Sequence, residues 1–169
     1  VQYDYDEKGR LHEIVQGNQR VTYTWDEMNR INALEDASRS KFQYEYNGAD
    51  LLTKLTMPGG QSYHFGYDAN GNVTEITMPN GAKHQLGYTK VDLPESYTPP
   101  GNGSYQKSYN LDRAVDYLTL PSSRLVDYQY DAAGRVIGMQ YNPISSSFGY
   151  SDNTDRVTSI ERNPDGVDY

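Results

Sequence analysis

The sequence contains no cysteine, which excludes disulfides and thiolate metal sites. It has no apolar run of the ~18 residues that a membrane-crossing helix requires. Aliphatic bulk is scarce: Leu, Ile, Val and Phe together number 30 of 169 residues. That shortage rules out a thick aliphatic core, and with a net charge of -8 it brings the chain toward the disordered range. Positive charge is short too, with 15 Lys+Arg against 23 Asp+Glu. No basic cluster offsets the excess of acid, so a phosphate-backbone partner is disfavoured and no nucleic acid is expected. The first ten residues (VQYDYDEKGR) are charged and resemble no signal peptide. The chain reads as a piece of something longer.

What is abundant is tyrosine, with 17 copies. Tyrosine buries a large ring while keeping a polar handle, which suits a thin, half-dry sheet rather than a globule. An aromatic residue followed by a turn-like tetrad recurs at Tyr5, Trp25, Tyr46, Tyr67, Tyr88, Tyr109, Tyr130 and Tyr150, in steps of 20, 21, 21, 21, 21, 21 and 20 residues. Such a register defines a tandem repeat, and the repeat fixes the architecture.

The clearest copies read YDEKGRL from Tyr5, YDANGNV from Tyr67 and YDAAGRV from Tyr130. WDEMNRI from Trp25, YNGADLL from Tyr46 and YNLDRAV from Tyr109 are weaker. The copy at Tyr88 reads as one residue short, and that at Tyr150 as one residue long. Asp or Asn in the first turn position bonds its own downstream backbone. Gly, Asn or Asp in the fourth tolerates a left-handed backbone. The tetrads at Asp6–Gly9 and Asp131–Gly134 are therefore expected as hairpin turns.

A second turn signal falls midway, at Pro58-Gly59-Gly60, Pro79-Asn80-Gly81, Pro99 to Gly103, Asn142-Pro143 and Asn163 to Gly166. Two turns per repeat leave room for two short strands and none for a helix of ordinary length. Before the turn, aromatic and apolar residues alternate, as in Phe42-Tyr44-Tyr46, Tyr63-Phe65-Tyr67 and Val126-Tyr128-Tyr130, the pattern of a half-buried strand. After it, apolar residues stand three apart, as in Leu11 and Ile14, Ile31 and Leu34, or Val73 and Ile76. A β-bulge explains this step, and a short helical turn gives the same spacing. The expected fold is all-β: about eight tandem hairpin repeats over residues 1–169, forming a curved single-layer strip.

The Tyr-Asp-x-x-Gly-Arg-Leu signature at this period resembles the YD (Rhs) repeat family. Bacterial Rhs polymorphic toxins, the C components of insecticidal toxin complexes, wall-associated toxin proteins and teneurins belong to it. Tyr5-Asp6 with Gly9-Arg10-Leu11, and Tyr130-Asp131 with Gly134-Arg135-Val136, carry the resemblance best, and the register extends it along the whole chain. The resemblance implies a β-strip that spirals into a hollow shell around a toxic C-terminal domain or its own interior. It implies a scaffold rather than an enzyme, secreted or at the bacterial surface. Its partners would be the rest of the shell and the enclosed toxin domain. The Asp-Pro motif associated with autoproteolytic release in that family does not occur in these residues.

Asp6, Asp26, Asp68 and Asp131 suggest a carboxylate series for calcium. The segment from Asp68 through Asn72 opens like a calcium loop, but Val73 and Pro79 stand where an EF-hand needs Gly and Glu. Turn chemistry is the simpler reading, and no metal or cofactor is expected. His12, His64 and His84 lack metal-site spacing. His12 and His84 read as solvent-facing, and His64 as lying opposite Tyr63 and Phe65. No serine sits in a nucleophile-elbow motif. The regular tyrosines suggest either a sugar-stacking face, as in an extracellular adhesive or carbohydrate-binding array, or cross-strand aromatic pairs between hairpins. The pairing is the favoured reading. Arg10, Arg30, Arg135 and Arg156 recur just after the turns, where pairing with turn aspartates of a neighbouring repeat is open to them; a solvated face is the default reading and a partner-binding stripe the minority one. Self-association through unpaired sheet edges is also expected.

Overall fold

The computed structural model describes residues 1–101, 103–152 and 154–163. The turn expected from Asn163 to Gly166 falls largely outside them. The chain divides into two compact units, Val1–Lys83 and His84–Tyr169. The first holds β1 (Gln2–Tyr5), β2 (Leu11–Gln16), β3 (Gln19–Trp25), β4 (Ile31–Glu35), β5 (Lys41–Tyr46), β6 (Leu52–Thr56), β7 (Ser62–Tyr67) and β8 (Val73–Thr77). The second holds β9 (Lys83–Tyr88), β10 (Pro94–Thr98), β11 (Tyr105–Tyr109), β12 (Val115–Thr119), β13 (Leu125–Tyr130), β14 (Val136–Tyr141), β15 (Ile144–Tyr150) and β16 (Val157–Asn163). Within each unit every strand pairs antiparallel with the next in sequence, so the sheet is a plain meander. No helix occurs among the described residues.

The scarcity of aliphatic residues has the consequence expected of it. Only Ala33 and Val126 among described apolar residues are buried, at 6% and 9% exposure. Accessible surface totals 11859 Å², whereas a compact protein of this mass exposes about 8,400 Å² by the usual scaling. The sheet is one layer thick, with an apolar-aromatic face and a polar face. Strand β5 shows the alternation cleanly: Phe42, Tyr44 and Tyr46 are half-buried, and Lys41, Gln43 and Glu45 are exposed.

The three-residue apolar step is a β-bulge in all eight repeats. Tyr5 pairs with Leu11 and Asp4 with Glu13, which leaves His12 as the extra residue. Asn32, Thr53, Thr74, Glu95, Asp116, Ile137 and Thr158 are extra in the same way. The alternative of a helical turn is thereby excluded. Loop length explains the irregular steps. The two 20-residue repeats close their second turn with two residues, Gly17-Asn18 and Asn142-Pro143, where Gln16 pairs with Gln19 and Tyr141 with Ile144. The others use longer loops, such as Asp36 to Ser40 between paired Glu35 and Lys41.

One register assignment needs correction. The repeat at Tyr88 is full length: Tyr88 pairs with Pro94, the same six-residue step as Tyr5 to Leu11. Leu93 occupies the arginine position, and a proline in the place of the apolar residue concealed the match. At Tyr150 the extra residue is real, since Tyr150 pairs with Val157.

Candidate functional site

Every signature aromatic is the last residue of an odd-numbered strand: Tyr5, Trp25, Tyr46, Tyr67, Tyr88, Tyr109, Tyr130 and Tyr150. The turn that follows is built by its first residue. The Asp6 backbone N–H donates to the Arg10 carbonyl and the Gly9 N–H to the Asp6 carbonyl, both at 2.9 Å. One Asp6 carboxylate oxygen accepts from the Lys8 and Arg10 N–H groups at 2.9 Å. Asp26, Asp68 and Asp131 repeat this arrangement, with Asn47 and Asn110 as neutral substitutes. The fourth residue is left-handed each time, with φ of 76° at Gly9, 89° at Gly71 and 78° at Gly134. Arg113 holds the same conformation at φ 63° although it is neither Gly, Asn nor Asp.

The turn arginines bridge repeats, though not as the sequence suggested. Arg10, Arg30 and Arg135 each clamp the aspartate of their own turn at 2.7 Å. The guanidinium then reaches the next turn mainly through backbone. Arg10 donates to the Asp26 carbonyl and Asn29, Arg30 to the Asn47 carbonyl, and Arg135 to the Thr154 carbonyl. Among the described residues only Arg30 reaches an aspartate carboxylate of the next turn, that of Asp50 at 2.7 Å. These side chains are not solvated ones. They lie over the following aromatic, Arg10 at 5.5 Å from the Trp25 ring centroid, and Arg30 and Arg135 at 4.7 Å from those of Tyr46 and Tyr150. Arg156 is exposed.

The aromatic residue works backward along the chain. Trp25 Nε1 donates to the Leu11 carbonyl at 2.9 Å, and the Tyr46 hydroxyl to the Ile31 carbonyl at 2.8 Å. Tyr67 donates to Leu52, Tyr130 to Val115 and Tyr150 to Val136, all at 2.7 Å, and Tyr109 donates to Pro94. The bulge creates the need for this bond. Pairing between β4 and β5 stops at Ala33 with Gln43, so the Ile31 carbonyl lies beyond the end of the ladder. A side-chain donor two residues long in reach closes the splayed end, and an unpaired, half-buried carbonyl is avoided. The hydroxyl tie, rather than ring-to-ring pairing, joins one repeat to the one before.

Among the described residues, ring stacking occurs at a different place. His84 lies 5.9 Å from Tyr97, and Tyr97 lies 6.2 Å from Tyr105, with ring planes within 20° of parallel. His84 is thus not solvent-facing; it is half-buried and its Nδ1 is 2.8 Å from the Tyr97 hydroxyl. His12 is half-buried as well, at the bulge, with Nδ1 3.1 Å from the Tyr23 carbonyl. His64 is exposed on the face opposite Tyr63 and Phe65, as expected. Among the described residues no cluster of His, Asp or Glu is arranged to hold a metal.

The electrostatics follow from the turns. Backbone N–H donation from Arg10, Arg30 and Arg135, reinforced by their guanidinium groups, holds the carboxyls of Asp6, Asp26 and Asp131 below the ordinary aspartate value. The side-chain amide of Asn72 does the same for Asp68, and the Ser38 hydroxyl for Asp36. Burial raises the phenols of Tyr46, Tyr67, Tyr109 and Tyr130. Each donor that lowers a carboxyl belongs to its own turn, and each raised phenol is a tie residue.

The family described as Teneurin YD-shell matches residues 1–169. No curated protein matches the chain. Among solved structures, a TcdB2-TccC3-Cdc42 crystal structure is similar with a TM-score of 0.74 and 11% identity, covering 95% of this chain and 11% of that one. TcdB2-TccC3 gives 0.72 and 12% over 95% of this chain and 11% of that one. A Tc holotoxin pore of Photorhabdus luminescens gives 0.68 and 14% over 87% and 9%. The chain spans about a tenth of the length of these structures, and the likeness is one of fold.

Proposed function

The chain belongs to the Teneurin YD-shell family, and we propose that it is a length of shell wall that helps enclose a toxic C-terminal domain in a bacterial Rhs-type toxin. The observation that carries this reading is the backward tie. Six of the eight signature aromatics (Trp25, Tyr46, Tyr67, Tyr109, Tyr130 and Tyr150) complete the ladder of the repeat before them, so within these stretches a repeat needs the next. Such nearest-neighbour dependence suits a wall of repeated units. The polar side chains of the turn are spent on one another, which supports a structural rather than a catalytic task. On this reading the whole chain forms one curved array, its partners are the rest of the shell and the enclosed domain, and it acts outside the cell.

Limited proteolysis of the full gene product tests the proposal. A segment enclosed by the wall resists protease in the native protein and becomes cleavable when Tyr46, Tyr67 and Tyr130 are together changed to Phe. Cleavage of every flanking segment at the rate of a free linker in the native protein would contradict enclosure. An adhesive array would then be the better description.

A further inference from the structure

A chain without cysteine has no disulfide with which to staple a hairpin, and its abundant tyrosines offer another covalent chemistry. Tyr46, Tyr67, Tyr109, Tyr130 and Tyr150 have their hydroxyls committed to backbone carbonyls. Tyr97 and Tyr105 make no such tie. They pair directly across β10 and β11 and are 37% and 38% exposed. Their rings stack with centroids 6.2 Å apart and planes at 20°. Among the described residues no other two tyrosines stack.

His84 completes the row. Its ring lies 5.9 Å from that of Tyr97, with planes at 13°, and its Nδ1 is 2.8 Å from the Tyr97 hydroxyl. With the ring proton on Nε2, Nδ1 accepts from that hydroxyl. The separation is that of a general base from the proton it abstracts, ~2.6–3.2 Å. The hairpin that carries the two tyrosines is also the least secured. Its ladder holds two residue pairs, Ser96 with Gln106 and Tyr97 with Tyr105, where β4 with β5, β6 with β7 and β12 with β13 hold three each. Seven residues separate Tyr97 from Tyr105, whereas five separate Glu35 from Lys41 and Thr119 from Leu125.

We infer that Tyr97 and Tyr105 form a site of oxidative cross-linking, joined as dityrosine by a haem peroxidase with hydrogen peroxide. Each phenol gives up one electron and one proton. The two phenoxyl radicals couple through ring carbons next to the oxygens, and one C–C bond forms. The hydrogens those carbons carried move to the oxygens and restore both phenols. One hydrogen peroxide takes up the two electrons and two protons and leaves as two waters. His84 accepts the Tyr97 proton as the electron departs, which makes Tyr97 the first radical and Tyr105, stacked on it, the coupling partner. A backbone carbonyl is too weak a base for that task, so the tie tyrosines are disfavoured. Exposure of both rings admits the oxidant and leaves room for them to turn edge to edge. The new bond closes the long loop of this hairpin as a disulfide would.

The test is treatment of the full chain with a haem peroxidase and limiting hydrogen peroxide, followed by dityrosine fluorescence, intact mass and peptide fragmentation. The expected product is a single chain lighter by two hydrogen atoms, with the peptides holding Tyr97 and Tyr105 joined, formed at a rate independent of protein concentration. Tyr97→Phe and Tyr105→Phe each keep the ring and abolish that product. His84→Phe keeps a ring in the stack but removes the base; it slows the reaction roughly tenfold, and added imidazole restores the rate. Cross-links between chains only, an intrachain link that survives in both tyrosine variants, or a His84→Phe rate equal to wild type would each overturn the inference.

Discussion

Changing Tyr46 to Phe removes one oxygen and nothing else. The ring stays beneath Arg30, 4.7 Å from the guanidinium carbon, and its packing against the apolar face is retained. What is lost is the 2.8 Å bond to the Ile31 carbonyl. That carbonyl lies two residues beyond the last ladder pair, Ala33 with Gln43, so no strand partner replaces the phenol. A lost hydrogen bond of this kind costs about 1 kcal/mol, within a range of roughly 0.5–1.5. The group is half-buried and water can partly replace the donor, which places the expected value near the middle of that range. For a chain of this length about 1 kcal/mol lowers Tm by roughly 2–4 °C. Tyr67→Phe and Tyr130→Phe remove bonds of 2.7 Å in the same geometry and are expected to cost the same within about 0.5 kcal/mol. Urea unfolding followed by circular dichroism, with calorimetry as a check on cooperativity, measures the effect. If all three Phe variants match wild type within about 0.3 kcal/mol while the Ala variants are strongly destabilised, the rings alone join the repeats. The hydroxyl tie would then be incidental.

Other expectations rest on the same geometry. Arg113 is left-handed at φ 63° where six other copies carry Gly, Asn or Asp. Relief of about 1–2 kcal/mol of strain, less about 0.5–1 for the added freedom of the unfolded chain, makes Arg113→Gly stabilising by roughly 0.5–1 kcal/mol in urea unfolding. The carboxyls of Asp6, Asp26 and Asp131 are lowered from an ordinary value of 3.8, so their contribution is complete above that value and is lost as pH falls through the depressed folded value. Acid titration of stability should therefore show a decline below about pH 4 that is shallower in the double variant Asp26→Asn, Asp131→Asn. The phenols of Tyr46, Tyr67 and Tyr130 are raised from 10.0, so stability should fall as pH rises above that value. The triple Phe variant should lack this alkaline component.

The architecture was readable because it rests on turn chemistry and period. Asp6 and Gly9 carry enough local information to place a turn, and Leu11 with Ile14 carries enough to place a bulge. The aromatic partner was not readable, because the Ile31 carbonyl that Tyr46 seeks is exposed only by the bulge and the splaying of strands beyond it. Periodicity reveals that a ring recurs, not which atom of it matters. The presence of Trp25 among the tyrosines was the available clue, since Trp and Tyr share a polar hydrogen that Phe lacks. Tyr88 was misaligned because Pro94 disguised the post-turn residue. The turn at Asp36 to Ser40 carries neither Gly nor Pro, yet Asp36 repeats the bonds of Asp6 and Arg39 takes φ 64°. Two of the three histidines, His12 and His84, depart from the solvent-facing positions expected of them for a simpler reason. His12 sits on a bulge, where alternation fails, and His84 shares its face with Leu86 and Tyr88.

The backward direction of the tie is tested most directly by native-state hydrogen exchange on the full chain carrying Tyr46→Phe. Amides at Arg30 to Ala33, in the repeat before the substituted residue, should lose protection. Those of the Asn47 to Leu51 turn, held by the Asn47 side chain and by their own backbone bonds, should keep theirs. Loss of protection confined to the Asn47 to Leu51 turn, with Arg30 to Ala33 unchanged, would mean that the aromatic serves its own repeat. The wall would then lack the dependence of each repeat on the next.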